Sequence, residues 1–305
     1  MPDEFDKGHW DALLQRISDG QCTPFLGAGA CHPSVPLATE LALSWADEHG
    51  YFERDHSRRA NLAVVAQYLA VTIDPMFPKQ KLLRRIESCQ APDFSEEDEP
   101  HGVLADLPLP IYLTTNCDDF IVKALESRGR TPRAEICQWS KSLRELTEAQ
   151  VSSGLDLQHP SEPSPANPLV FHLHGGGGEP RSLVLTEDDY LEFLVSVSQG
   201  EEVLPSRVKE ALTDSSLLFI GYSLQDLTFR VLWQGLVAPR PKGWRYASVS
   251  VQLVPVPEDA TPEDRQAAKR YWEQYFAGLN VRVYWGTARQ FAGELRSKWQ
   301  QDGDD

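Results

Sequence analysis

Four short polar segments hold the side chains best suited to chemistry: Gly27-Ala28-Gly29-Ala30, Thr114-Thr115-Asn116-Cys117-Asp118-Asp119, Phe171-His172-Leu173-His174-Gly175 and Gly221-Tyr222-Ser223. Glycines in a strand-to-helix turn let backbone N–H groups approach a diphosphate, and the helix beyond adds its positive end. The same residues also suit a plain tight turn. Asn116 offers an acceptor and two donors, enough to orient a ribose hydroxyl or a water molecule. Asp118 can accept from a ligand amide or, like Asp119, cap the following helix. Histidines at i and i+2 share one face of a strand. His174, beside Gly175 at the exposed strand end, is the better general base, since imidazole titrates closest to neutrality; His172 reads as a deeper, hydrogen-bonded core residue. Two histidines are too few for a closed metal site, and no metal is expected. Ser223 can cap the next helix or contact phosphate or ribose, and Asp226 is a further capping candidate.

Each segment ends an apolar run that reads as a buried strand: Cys22 to Leu26, IYLTTN, VFHLHG and SLLFIGYS. Two more strands, SVSVQLV and VRVYWG, follow, and helical periodicity fills most of the intervals between strands. The pattern predicts an α/β fold, a Rossmann-like doubly wound parallel sheet with helices on both faces. In such sheets ligands sit beyond the carboxyl ends of the strands, so four polar ends in one chain point to a single nucleotide site. Residues 40–105 carry helical patterns and no strand, and are expected to form a small helical lobe within one domain spanning 1–305. The Pro- and Ser-rich stretch 151–168 reads as a surface loop.

The formal net charge of -16, from 29 Lys plus Arg against 45 Asp plus Glu, disfavours a nucleic-acid surface. The basic run Lys79 to Arg85 reads as the solvated face of a helix. No window has the length and apolarity of a membrane span, and the acidic start lacks the features of a signal peptide, so a cytoplasmic protein without membrane contact is expected. Cys22, Cys31, Cys89, Cys117 and Cys137 are scattered and never spaced as CxxC.

With the four segments in this order, the chain resembles the SIR2-like family, in the bacterial branch known from antiphage defence. Gly27, Ala28 and Gly29 match the family's GAG turn, Asn116 and Asp118 its TTNxD motif, His174 and Gly175 its catalytic HG, and Gly221, Tyr222 and Ser223 its GYS loop. The segment VRVYWGTARQF is similar to the family's adenine-end segment. The chain departs from the protein deacetylases: the stretch after the HG, GGGGEPRSLVLTEDDYLEF, has no Cys and therefore no zinc module. HPSVPLATEL holds no clear counterpart of the deacetylase GIPDFR arginine, and Cys117 stands where defence relatives often have Tyr.

The resemblance implies an NAD+ glycohydrolase releasing nicotinamide and ADP-ribose, with Asn116 and His174 catalytic. Gly27 to Ala30 and Ser223 would hold the diphosphate, and Asp118 would grip the carboxamide. It also implies a homo-oligomer, gated by a trigger or by a separate companion sensor or activator protein. The alternatives are a sensor that binds NAD or ADP-ribose without turnover, an NAD-dependent protein deacylase, and an interaction module that keeps the fold with neither binding nor turnover.

Overall fold

The computed structural model describes residues 5–145, 162–198, 203–223, 246–257 and 259–302. Its centre is a seven-stranded sheet, all of whose pairings are parallel, in the order β3-β4-β2-β1-β5-β6-β7. The strands are β1 (Cys22–Leu26), β2 (Ile111–Thr114), β3 (Arg133–Ile136), β4 (Leu169–His172), β5 (Ser216–Ile220), β6 (Ser248–Gln252) and β7 (Val281–Trp285). Six of these are the strands expected from apolar runs. The seventh, β3, escapes such a reading because its four residues, RAEI, are half polar and lie at the sheet edge, where one side needs no apolar cover.

Alternation along the strands sends side chains to two separate cores. Leu26, Tyr112, Val170, Leu218 and Ile220 face a cluster with α1 (Lys7–Ser18), α6 (Pro100–Asp106), α7 (Phe120–Ser127) and α11 (Ala288–Asp302). Phe25, Leu113, Phe171, Leu217 and Phe219 face the opposite cluster with α8 (Glu187–Ser198), α9 (Ser206–Asp214) and α10 (Pro262–Gly278). Helices on both faces of a parallel sheet cover the apolar sides of its central strands, which makes the fold α/β, Rossmann-like and doubly wound.

Between β1 and β2 lie α2 (Ala38–Glu48), α3 (His56–Arg59), α4 (Leu62–Thr72) and α5 (Phe77–Glu87), which share a third apolar cluster built on Leu41, Trp45, Val65, Leu69 and Leu82. Asn61 breaks what reads as one helix into α3 and α4, its side chain accepting from the amides of Ala63 and Val64. The next helix, α6, packs with the sheet layer instead. The helical cluster is fastened to the start of α8. Gln67 exchanges two hydrogen bonds with Asp188, and Lys79 Nζ donates to Asp189 Oδ1 at 2.8 Å.

The expectation of a fully solvated basic run is therefore corrected at Lys79. Its side chain is only 9% exposed, and it is held between the Asp189 carboxylate and the Trp139 ring. Arg84 and Arg85 do face solvent. The Asp226 expectation and most of the 151–168 loop lie outside the described residues.

Breaking a largely buried pair strands a charge, whereas an exposed pair contributes little. Lys79→Met is expected to destabilise the protein by roughly 3 kcal/mol. Lys81→Met, whose partner Glu48 is half exposed, should cost less than about 1 kcal/mol. Urea unfolding midpoints of the two variants check the contrast.

Candidate active site

The sheet register brings the polar segments together. Leu26 pairs with both Thr114 and Ile220, and Thr114 pairs with His172, so four strands end on one row. The chain leaves β1 for β2 on one side and later returns to β5 on the other, which puts the β1/β5 boundary at a topological switch point.

At that boundary the two loops touch through their backbones. Gly29 N–H donates to Gly221 O at 2.9 Å, and Gly27 N–H to Ile220 O at 3.0 Å. Gly221 has φ +71°, and a Cβ there would lie 2.0 Å from the Ala30 nitrogen. Small residues here serve the close approach first. Ala30 N–H is also used, donating to Gly27 O. Of the four turn amides expected to hold a diphosphate, three are already paired. Ala28 alone is exposed, and its amide meets no acceptor among the described residues. In the second loop, Tyr222 lies in the core, its ring edge-on to Phe25, while Ser223 is exposed at the crevice.

Asn116 is clamped from three directions. Its backbone amide donates to Thr114 Oγ1 at 2.9 Å, and its Nδ2 donates to Gly27 O at 3.1 Å and to Cys31 Sγ at 3.0 Å. Since the Gly27 carbonyl only accepts, the amide orientation is fixed, and Oδ1 is left for a ligand. His172 completes the clamp, its Nδ1–H donating to the Asn116 carbonyl at 3.0 Å. Burial pushes the His172 pKa down, opposed by that hydrogen bond and by Asp118 and Asp119. Asp118 is buried: Oδ1 accepts from the Phe120 amide at the start of α7, and Oδ2 from the Cys31 thiol at 3.1 Å. The capping role is thus real for Asp118, yet each carboxylate oxygen retains a free lone pair.

His174 differs from its expected setting. It is not exposed but 7% accessible, because β4 ends at His172 and the strand rule that aligns i with i+2 no longer applies. The ring meets Tyr190 and Phe193 of α8 edge-on at 5.4 and 5.0 Å. Its Nε2 is buried with no hydrogen-bond partner among the described residues, an arrangement that native interiors rarely tolerate without a purpose. Burial alone lowers its pKa from 6.5 to about 4, so the ring is neutral at physiological pH.

Sequence reasoning missed a buried group beneath the turn. Cys31 Sγ lies 3.6 Å from His101 Nε2, and His101 Nδ1 lies 2.7 Å from Glu99 Oε1. Glu99 Oε2 accepts from the Gly102 amide at 2.6 Å, capping α6. Residues 31, 101 and 118 are too far apart in sequence for spacing to link them; the one local signal was the Glu99-Pro100-His101 start of a helix.

A family model described as SIR2-like domain matches residues 110–280. Among curated proteins, the chain is 26% identical over 217 residues to the NAD(+) hydrolase ThsA of Cytobacillus dafuensis, covering 70% of this chain and 37% of that protein. It is 24% identical over 226 residues to the NAD(+) hydrolase ThsA of Acinetobacter baumannii (strain 532279), covering 71% and 39%. For the NAD(+) hydrolase ThsA of Bacillus cereus (strain MSX-D12), identity is 27% over 194 residues, covering 63% and 33%. The matched region thus spans well under half the length of these relatives.

Two outcomes test the site as a structure. Below pH 6.5 the unfolded chain protonates its histidine while folded His174 stays neutral until about pH 4. Stability present above that window is lost as pH falls through it, by about 3 kcal/mol for this group. His174→Gln is expected to flatten that acid limb in urea unfolding measured from pH 7 to 4. Gly221→Ala should destabilise well beyond Gly177→Ala, because both have positive φ but only the first would drive a Cβ into backbone. The strain common to both is about 1–3 kcal/mol, so the difference between their unfolding midpoints measures the loop contact.

Proposed function

The chain belongs to the SIR2-like domain family, and from that premise we propose that it is an NAD+ glycohydrolase. Water cleaves the bond between nicotinamide and ribose, giving nicotinamide, ADP-ribose and a proton. The observation that supports this reading is the common row of strand ends, from which the segments carrying Asn116, Asp118 and His174 leave the sheet.

The exposed Ala28 amide and Ser223 offer donors to the diphosphate, a narrower set than four turn amides. Asp118 accepts from the nicotinamide carboxamide. As the glycosidic bond lengthens, ribose gains oxocarbenium character. Asn116 is locked before substrate arrives, so its Oδ1 dipole meets the developing charge or attacking water without reorganisation. His174, neutral, takes the proton from that water through Nε2. Its depressed pKa makes it a weak base while buried, and entry of a hydrogen-bonding water or substrate hydroxyl would raise it toward the working pH. The similar proteins named NAD(+) hydrolases support cleavage of NAD+ itself over deacylation.

We further propose an antiphage role in the cytoplasm, as a homo-oligomer switched on by a separate companion protein. The observation favouring such a gate is the enclosure of His174, which has to meet water before it can act. No helix among the described residues is long and apolar enough to cross a membrane.

Purified protein with NAD+ is expected to release nicotinamide without acyl peptide. Asn116→Ala and His174→Ala should each lower the rate by ~100-fold to 10,000-fold while remaining folded. Near wild-type release by either variant would overturn its catalytic assignment. NAD+ binding without release, even with the companion present, would assign the chain as a sensor.

A further inference from the structure

Cys31, His101 and Asp118 form the one group among the described residues in which three metal-ligating side chains converge, with their ligand atoms all within 4.8 Å of one another. We propose that this buried group binds a thiophilic divalent cation such as Zn2+ and that, when filled, it locks the Asn116-Asp118 loop.

The ligand atoms already stand close to the spacing of a filled site. Bonds of ~2.3 Å to sulfur and ~2.0 Å to nitrogen or oxygen, at tetrahedral angles, place ligand atoms about 3.5 Å apart. Sγ to His101 Nε2 is 3.6 Å and Sγ to Asp118 Oδ2 is 3.1 Å, so the second has to open by a few tenths of an ångström, while the third, from His101 Nε2 to the Asp118 carboxylate, lies within 4.8 Å.

The surroundings are those a metal site requires. A ligating histidine is normally oriented by a carboxylate on its other nitrogen. Glu99 Oε1 does this for His101 Nδ1 at 2.7 Å, and Glu99 is itself held by the Gly102 amide. With Nδ1 so engaged, His101 Nε2 aims at Cys31. Asn116 Nδ2, 3.0 Å from Sγ, supplies the N–H that a coordinated thiolate accepts.

Charge balance favours the same occupant. Two buried carboxylates, Glu99 and Asp118, share this interior with one histidine and a thiol. Binding exchanges the thiol proton for the ion: the S–H bond breaks, the S–metal bond forms, and the proton leaves to solvent. Thiolate and Asp118 carboxylate together then neutralise the two positive charges. Three protein ligands leave a fourth position for water.

The consequence for turnover rests on the NAD+ reading. An ion on Asp118 Oδ2 draws charge from the carboxylate and weakens it as an acceptor for the nicotinamide carboxamide, and the Asn116 amide becomes tied to a metal-bound sulfur. The cation is therefore an inhibitor, outside the hydrolytic step.

Binding is read without turnover. Co2+ titrated into the full-length protein is expected to give, at one equivalent, the near-ultraviolet thiolate-to-cobalt charge-transfer band and the intense visible bands of a tetrahedral ion, both abolished by Zn2+. Cys31→Ser should lose the charge-transfer band, Cys117→Ser should keep it, and Glu99→Gln should weaken Co2+ affinity by ~10-fold to 100-fold. No thiolate band in the wild-type protein, which needs no variant to interpret, or a band that survives in folded Cys31→Ser, would overturn the site. Zn2+ should also suppress nicotinamide release; undiminished release at saturating Zn2+ would overturn the inhibitory role alone. A protein that releases no nicotinamide in any condition counts against the NAD+ reading, and the cobalt spectrum still decides the site.

Discussion

Two loops from neighbouring parallel strands meet backbone to backbone, and the rest of the site is built on that contact. The Gly29 amide bonds the Gly221 carbonyl at 2.9 Å, and neither loop has room for a side chain at the point of approach. This closeness lets the Gly27 carbonyl turn toward Asn116 and places Cys31 above Asp118. A backbone contact between rigid strand ends resists displacement because the parallel ladder on both sides would have to shift with it.

Preorganisation in this site comes from hydrogen bonds that are already spent. Asn116 makes four, through its amide nitrogen, its carbonyl and twice through Nδ2. A side chain so restrained loses little entropy when a ligand arrives, which is where a fixed dipole gains its catalytic effect. The corollary is economy in the glycine turn, where most of the amides hold the fold together. His174 provides the counterweight: inside an aromatic wall its buried nitrogen has no hydrogen-bond partner among the described residues.

The helical cluster between β1 and β2 bears on the site through the segment after β4. Leu183 and Leu185 belong to its apolar cluster, and Asp189, which accepts from Lys79, also accepts from the amides of Leu185 and Thr186. The His174 carbonyl accepts from the Val184 amide, so the same short segment touches the helical cluster and the histidine. Movement of these helices would be felt at His174 through packed and hydrogen-bonded neighbours, without a long relay.

The apolar runs, the helical periodicity and the four polar strand ends were legible in sequence because burial on both faces of a parallel strand leaves an unmistakable composition. That was enough for the α/β class, six strands and the polar segments at their ends. β3 was not legible, since an edge strand of four residues carries too little apolar pattern. Nor was Lys79, whose burial depends on Asp189, 110 positions away. His172 is the buried, hydrogen-bonded residue expected, but the surroundings of His174 lay beyond the sequence, because spacing rules hold only while the strand continues, and β4 stops between them. What the sequence by itself determined was which residue types stand at which strand ends. Only the tertiary structure decided which amides are spent and which nitrogen is unpartnered, and that Cys31, Glu99, His101 and Asp118 share one interior, because those are facts of through-space distance that no local pattern encodes.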